Sequence, residues 1–280
     1  MKLPPAAQKH SRFLQTHRHN IVITLITVAL AASVLNSMRK NPNFQWNVVW
    51  DYLFAPEILS GINVTLTLTV LSLLYGFVIG TIVSFMNVYG NVAARAIANI
   101  YLWIFRGTPQ LVQLLFWYNL AVLYPTYGLH IPFTQHYILQ GSVNDLITPF
   151  SAAILGLSLN EGAYMAEIMR SGISSIDLGQ IEAARSLGMT KSQVIRRIVF
   201  PQSLAIIMPP MGNQAISVLK TTSLVSVISM SDLLYSAQNI YSRNFQTIPL
   251  LIVVCIWYLA LTSIVGVLQS LMEKFIAKRI

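Results

Sequence analysis

The sequence predicts an all-α, polytopic membrane protein with six transmembrane helices, and three observations carry that prediction. Hydrophobic residues fill 55% of the 280 positions and charged residues only 10%, a balance outside that of soluble globular chains; the mean hydropathy is +0.61. Six apolar runs, at 20–38, 58–86, 97–123, 148–170, 202–230 and 247–272, reach the roughly 20 residues that a helix needs to cross a hydrocarbon core. The basic residues sort by side. With both termini inside, Lys2, Lys9, Arg12, Arg18, Arg95, Arg170, Arg185, Lys191, Arg196, Arg197, Lys274, Lys278 and Arg279 are cytoplasmic, and only Arg39, Lys40 and Arg243 lie outside. The net charge of +9 therefore reports orientation in a bilayer. A nucleic-acid binder would need a soluble domain with interleaved basic and aromatic residues, and none is present.

Taken in order, the basic tail leads into an uncleaved first span, since no small-residue cleavage site follows its apolar run. Residues 41–57 carry Phe44, Trp46, Trp50, Tyr52 and Phe54 among polar neighbours, the pattern of a helix lying in the membrane interface. Residues 1–57 thus form an N-terminal addition and 58–280 a membrane domain. Thr65, Thr67 and Thr69 alternate with apolar residues but sit in a long apolar run, so they belong to a helix and bond back to its preceding turn. Gly76 and Gly80 form a GxxxG pair on that helix, suited to close helix packing. Residues 125–145 read as an outer loop rich in turn formers and aromatics. Pro209 and Pro210 remove amide donors and are expected to kink or break the fifth span. Cys255 is the only cysteine, so one chain builds neither a disulfide nor a thiolate metal site, and the histidines fall in the tail and an outer loop; no metal or cofactor is expected.

Polar residues inside spans are costly and mark pathways or buried pairs. Arg106 lies about 15 Å in from the cytoplasmic edge of the third span, followed by Thr108, Gln110, Gln113 and Trp117, and Gly107 and Pro109 loosen the helix there, freeing backbone groups for a ligand. Glu161 comes about 18 Å into the fourth span, beside Asn160 and Tyr164. Glu167 and Arg170, three apart, make a local ion pair. In the fifth span Asn213, Gln214, Ser217, Lys220 and Thr221 form a polar stripe that must face a cavity or another helix, with Lys220 either on that stripe or snorkelling to the interface. A cavity holding Arg106 and Glu161 suits a small zwitterion, guanidinium to carboxylate and Glu161 to an ammonium or guanidinium. The alternative is that Arg106 and Glu161 neutralise each other as a buried pair. The candidate substrate contacts are Arg106, Thr108, Gln110, Asn160, Glu161, Tyr164, Asn213 and Ser217.

Residues 182–201, EAARSLGMTKSQVIRRIVFP, form a charged, helix-prone segment between two apolar runs. It resembles the EAA loop of ATP-binding-cassette importer permeases at Glu182, Ala183, Ala184, Gly188, Ile198 and Pro201, departing at Phe200, where Leu is usual. FRGTPQLVQLLF at 105–116, LSLNEGAYMAEIMRSGI at 157–173 and LKTTSLVSVI at 219–228 resemble the polar amino acid permeases of the MetI-like fold. Thr221 stands where many relatives have Asp, and Ser171 and Gly172 where they have a Gly pair. The resemblance, which covers roughly residues 58–272, implies a five-helix core preceded by one extra helix in the cell (inner or plasma) membrane. The implied partners are cytoplasmic ATP-binding subunits, an extracytoplasmic solute-binding protein, a second permease subunit, identical or not, membrane lipid and an amino acid substrate. It also implies that the segment is a cytoplasmic coupling helix. In that role Ala183, Ala184 and Gly188 give a low-profile surface, Glu182, Arg185 and Arg196 rim charges, and Pro201 ends the motif. ATP hydrolysis would reside on the partners, because the chain has no Walker A loop and no hydrolytic constellation, so it is not expected to be an enzyme. The competing reading is an ion-coupled secondary transporter or channel for a small zwitterion, which predicts inverted repeats that the sequence does not show.

Overall fold

The computed structural model describes residues 5–130 and 137–277; Lys2, His136, Lys278 and Arg279 lie outside the described residues. The chain divides into two units, Met1–Asp51 and Tyr52–Ile280. In the first, helix α1 (Pro5–Lys40) runs uninterrupted and exposes Leu25, Leu30 and Leu35. Asn41 accepts from the Asn43 amide and opens a 3-10 turn, Pro42–Phe44. The Trp46 indole N–H donates to the Met38 carbonyl at 3.0 Å and its ring stacks on Phe44. The expected interfacial segment is thus a turn followed by a two-turn helix, α2 (Trp46–Leu53).

In the second unit α3 (Pro56–Tyr89) starts with Pro at its first turn, where the missing N–H has no partner to lose. Two of the three alternating threonines bond back as the long apolar run suggested, while Thr65 accepts from the Leu233 amide. Thr67 and Thr69 donate to the carbonyls four residues back, at 2.8 and 2.7 Å. One ridge of α3, with Thr65, Leu68, Ser72, Gly76, Gly80 and Val83, is buried, while Val70, Leu74, Val78 and Ile82, four apart, face out. α4 (Val92–Gly107), capped by Asn91 on the Ala94 amide, is followed by α5 (Gln110–Tyr118) and the single turn α6 (Leu120–Leu123). Residues 125–145 are not a plain loop: β1 (Thr126–His130) pairs antiparallel with β2 (Tyr137–Ser142), with Thr126 opposite Ser142. Aromatic and β-branched residues at Thr126, Tyr127, Tyr137 and Ile138 favour that pairing, so the expected all-α fold carries a small hairpin. A single turn, α7 (Val143–Leu146), leads to α8 (Pro149–Ser174), which opens with a Thr148–Ser151 capping box.

Helices α9 (Leu178–Ser186) and α10 (Lys191–Val194) and a π-helical turn, Ile195–Val199, precede α11 (Phe200–Thr221). α11 runs through Pro209 and Pro210 without the expected break. Helices packed on both sides keep such a stretch helical: Gln269 on α13 (Thr247–Ala277) donates to the Pro209 carbonyl at 3.3 Å. The regular helix ends only at a 3-10 stretch, Thr222–Ile228, after which Asp232 caps α12 (Leu233–Asn244) by accepting from the Leu234 and Tyr235 amides. Among the described residues, α3 and residues 247–275 of α13 are each long and apolar enough to cross a membrane; a third crossing results if residues 191–228 and 233–244, bent by 45°, count as one span.

The core forms where α3 lies along α8. A Cβ added at Gly76 would sit 2.7 Å from Glu161 Cγ, and one at Gly80 would sit 2.6 Å from Met165 Cβ, so the GxxxG pair is what lets the two backbones approach. Leu68, Leu114, Leu157, Val225 and Ile228 close one end of this core, and Val83, Ala98 and Ala166 form a second cluster.

Candidate functional site

The polar centre is built around the break between α4 and α5. Pro109 has no N–H and holds Thr108 extended, at φ −114° and ψ 146°, so α4 stops at Gly107 and α5 starts at Gln110. Two carbonyls at the break, those of Phe105 and Thr108, are taken by side-chain amides. The Gln113 amide donates to the Phe105 carbonyl at 3.0 Å and to the Thr108 carbonyl and hydroxyl at 3.1 and 2.8 Å. Asn160, reaching across from α8, donates to the same Phe105 carbonyl at 2.8 Å and to Gln113 Oε1 at 3.2 Å. Both amides are buried, so Asn160 and Thr108 belong to a plug that stabilises the break.

Directly after Phe105, Arg106 turns to a different face. Its guanidinium lies 5.9 Å over the Tyr164 ring and 3.5 Å from Glu167 Oε2. Arg170 holds Glu167 with two bonds, Nε to Oε2 at 3.0 Å and Nη2 to Oε1 at 2.7 Å, which is the local pair that their spacing suggested. Asn160, Tyr164 and Glu167 share one face of α8, and that face follows the end of α4.

The expected alternative of an Arg106–Glu161 pair is not formed, because Arg106 meets Glu167 instead. Glu161 is 3% exposed, accepts from Gln214 Nε2 at 2.9 Å through Oε2, and keeps Oε1 buried without a partner. The fifth-span stripe divides between neighbours: Gln214 reaches Glu161 on α8, while Asn213 Oδ1 accepts from Gln269 on α13 at 3.1 Å. Ser217 lies one turn beyond Asn213, Gln110 opens α5, and Lys220 is exposed. The eight predicted contacts are therefore spread over separate groups, with Arg106 and Tyr164 together. Gln113, Gln214, Gln269 and the cap Asp232 escaped the candidate set; the sign available in the sequence was that a broken helix needs amides or carboxylates nearby to satisfy its ends.

Residues 177–201 pack on one another and on Ile176. Asp177 caps α9 through the Gly179 amide at 2.7 Å. At the other end the Met189 amide donates to the Ala184 carbonyl and the Gly188 amide to the Arg185 carbonyl, a Schellman closure that needs a left-handed residue at Gly188, whose φ is +81°. Thr190 and Gln193 form a capping box for α10. Ala184, Val194, Val199 and Ile176 pack into a small core with Ile181 and Met189. Ala184 is therefore turned inward, and the low-profile surface expected of Ala183, Ala184 and Gly188 reduces to Ala183 and Gly188. Glu182, Ala183, Arg185, Arg196 and Pro201 are exposed, as are Leu178 (72%) and Leu187 (83%), which the sequence reading overlooked. Lys191 lies 5.4 Å over the ring of Tyr89, the last residue of α3. The first turn of α3 is about 48 Å away along the helix. There Glu57, Ser60, Ser231, Asn239 and Arg243 line a polar cleft of about 460 Å³.

The chain matches the model of the binding-protein-dependent transport system inner membrane component over residues 76–278. It is 42% identical over 263 residues to an arginine transport system permease protein, ArgU, of Corynebacterium glutamicum, covering 94% of this chain and 81% of that protein. The glutamine transport system permease protein GlnP of Escherichia coli is 33% identical over 232 residues, 82% of this chain and 97% of that one. Among solved structures, an amino acid ABC transporter crystallised with histidines superposes with a TM-score of 0.68 at 34% identity, over 79% of this chain and 94% of its own. A MetNI methionine transporter at 17% identity and TM-score 0.64 shares the fold.

Proposed function

Because the chain belongs to the family of binding-protein-dependent transport system inner membrane components, a family of transport subunits and not enzymes, we propose that it forms the membrane path for a polar, cationic amino acid. The observation that carries this reading is Arg106. Its guanidinium, on a side chain 41% exposed at the end of α4, is held only loosely by Glu167 and suits an α-carboxylate. Glu161, with one carboxylate oxygen unpartnered, would attract the cationic end of the solute once the helices part. The similarity over 94% of this chain to an arginine transport system permease supports the cationic choice. Family membership sets aside an ion-coupled transporter or channel.

In this reading six helical spans cross the inner membrane with both termini in the cytoplasm. The segment around Glu182 docks on an ATP-binding subunit through Leu178, Ala183, Leu187 and the rim charges Glu182, Arg185 and Arg196. The polar cleft at the opposite end of α3 faces the solute-binding protein, and a second permease subunit completes the pathway. ATP-driven closure of the ATPases then rocks the helices and alternates access. The test is uptake by proteoliposomes holding the permease, its ATPase and its binding protein. Arginine is expected to stimulate ATP hydrolysis and accumulate, and Arg106→Gln to abolish accumulation while the complex still assembles. Loss of assembly in that variant would instead make Arg106 a structural residue.

A further inference from the structure

We propose that Arg170 is a positioning residue which occupies Glu167 and thereby leaves the Arg106 guanidinium open to a solute carboxylate. This rests on the reading of Arg106 as the carboxylate anchor. Glu167 sits between two guanidiniums but serves them unequally: Arg170 takes both oxygens at 2.7 and 3.0 Å, whereas Arg106 reaches only Oε2, at 3.5 Å. A forked guanidinium satisfies a carboxylate best through two short parallel bonds, and a contact at 3.5 Å is outside good hydrogen-bond range. Arg170, three residues from Glu167 on the same helix, has the geometric advantage in that competition.

The consequence is electrostatic as well as geometric. Two guanidiniums and one carboxylate leave the trio with one net positive charge, and Arg106, whose side chain is 41% exposed, has no short bond to Glu167 and keeps its donors available. Tyr164 fixes the guanidinium from beneath without consuming its in-plane N–H groups. Without Arg170, Glu167 is free to close on Arg106 with two short bonds of its own. The trio then becomes neutral and the anchor is blocked by an internal carboxylate.

The experiment measures equilibrium binding of labelled L-arginine to the complete permease–ATPase complex in nanodiscs, with elution profile as the check on assembly. Arg170→Gln is expected to weaken binding about tenfold or more, the scale of one lost charge-assisted bond. The double variant Glu167→Gln/Arg170→Gln, which removes the competing carboxylate as well, is expected to return to within about threefold of the parent. Arg170→Lys, which keeps the charge but offers no fork, is expected to fall between and serves if Arg170→Gln does not assemble. Unchanged binding in Arg170→Gln or Arg170→Lys overturns the proposal, and so does a double variant as weak as the single one. Arg106→Gln run in parallel separates the two ideas: if it binds as the parent does, the anchor reading itself fails.

Discussion

Asn160 shows how one side chain decides whether a broken helix is a site or a joint. Its amide and that of Gln113 take the Phe105 carbonyl that Pro109 leaves open, so Asn160→Ala leaves that part-buried carbonyl with half its partners. That change is expected to cost about 1–3 kcal/mol and to lower the melting temperature of the detergent-solubilised complex, with uptake falling only as far as folded protein does. Glu161→Gln has a different expectation, since Gln214 can still donate to the new side chain. It should reduce arginine uptake about tenfold or more while sparing a neutral substrate such as glutamine, read from competition in proteoliposomes. Contacts within one helix were legible in the sequence at this scale: the back-bonding threonines and the Glu167–Arg170 pair depend only on spacing. Which carboxylate Arg106 meets was not, because that depends on how α4 packs against α8, which is a tertiary contact.

The α3–α8 contact and the segment around Gly188 are set at the level of whole elements. Gly80→Leu is expected to separate α3 from α8 and prevent assembly, whereas Val78→Leu on the outward ridge should leave the elution profile unchanged. On α9, Leu187→Asp should leave the permease folded, since Leu187 is 83% exposed, yet abolish co-purification of the ATPase. Gly188→Ala should cost about 1 kcal/mol through its left-handed backbone alone, because a Cβ there meets nothing within 4 Å. The GxxxG pair and the helical character of 182–201 could be read from residue types at fixed spacing. The uninterrupted course of α11 through Pro209 and Pro210 could not, since local propensity argues for a break and only neighbouring helices oppose it. Likewise Ala184 was legible as a motif position but not as a buried one, because its burial depends on Val194 and Val199 folding back over it.

Across the whole molecule, the division after Asp51 gives α1 a separate standing from the unit that contains the family match. A chain lacking residues 1–51 is expected to assemble with its ATPase and transport, with thermal stability changed by only a few degrees; loss of the complex would show that α1 is part of the transport body. Composition and hydropathy were enough to identify a membrane chain, and the motif strings at 105–116, 157–173, 182–201 and 219–228 its family, because both are properties of sequence order. The hairpin of β1 and β2 was missed because its strands are short and separated by turn-forming residues that read as loop. The miniature core beneath Gly188 carries one more consequence. A surface that is already rigid before its partner arrives surrenders little internal freedom on association, so the cost of complex formation is mainly the lost tumbling of two bodies. On the proposed docking role, assembly with an ATP-binding subunit is expected to be quick and reversible, with no folding step to wait for.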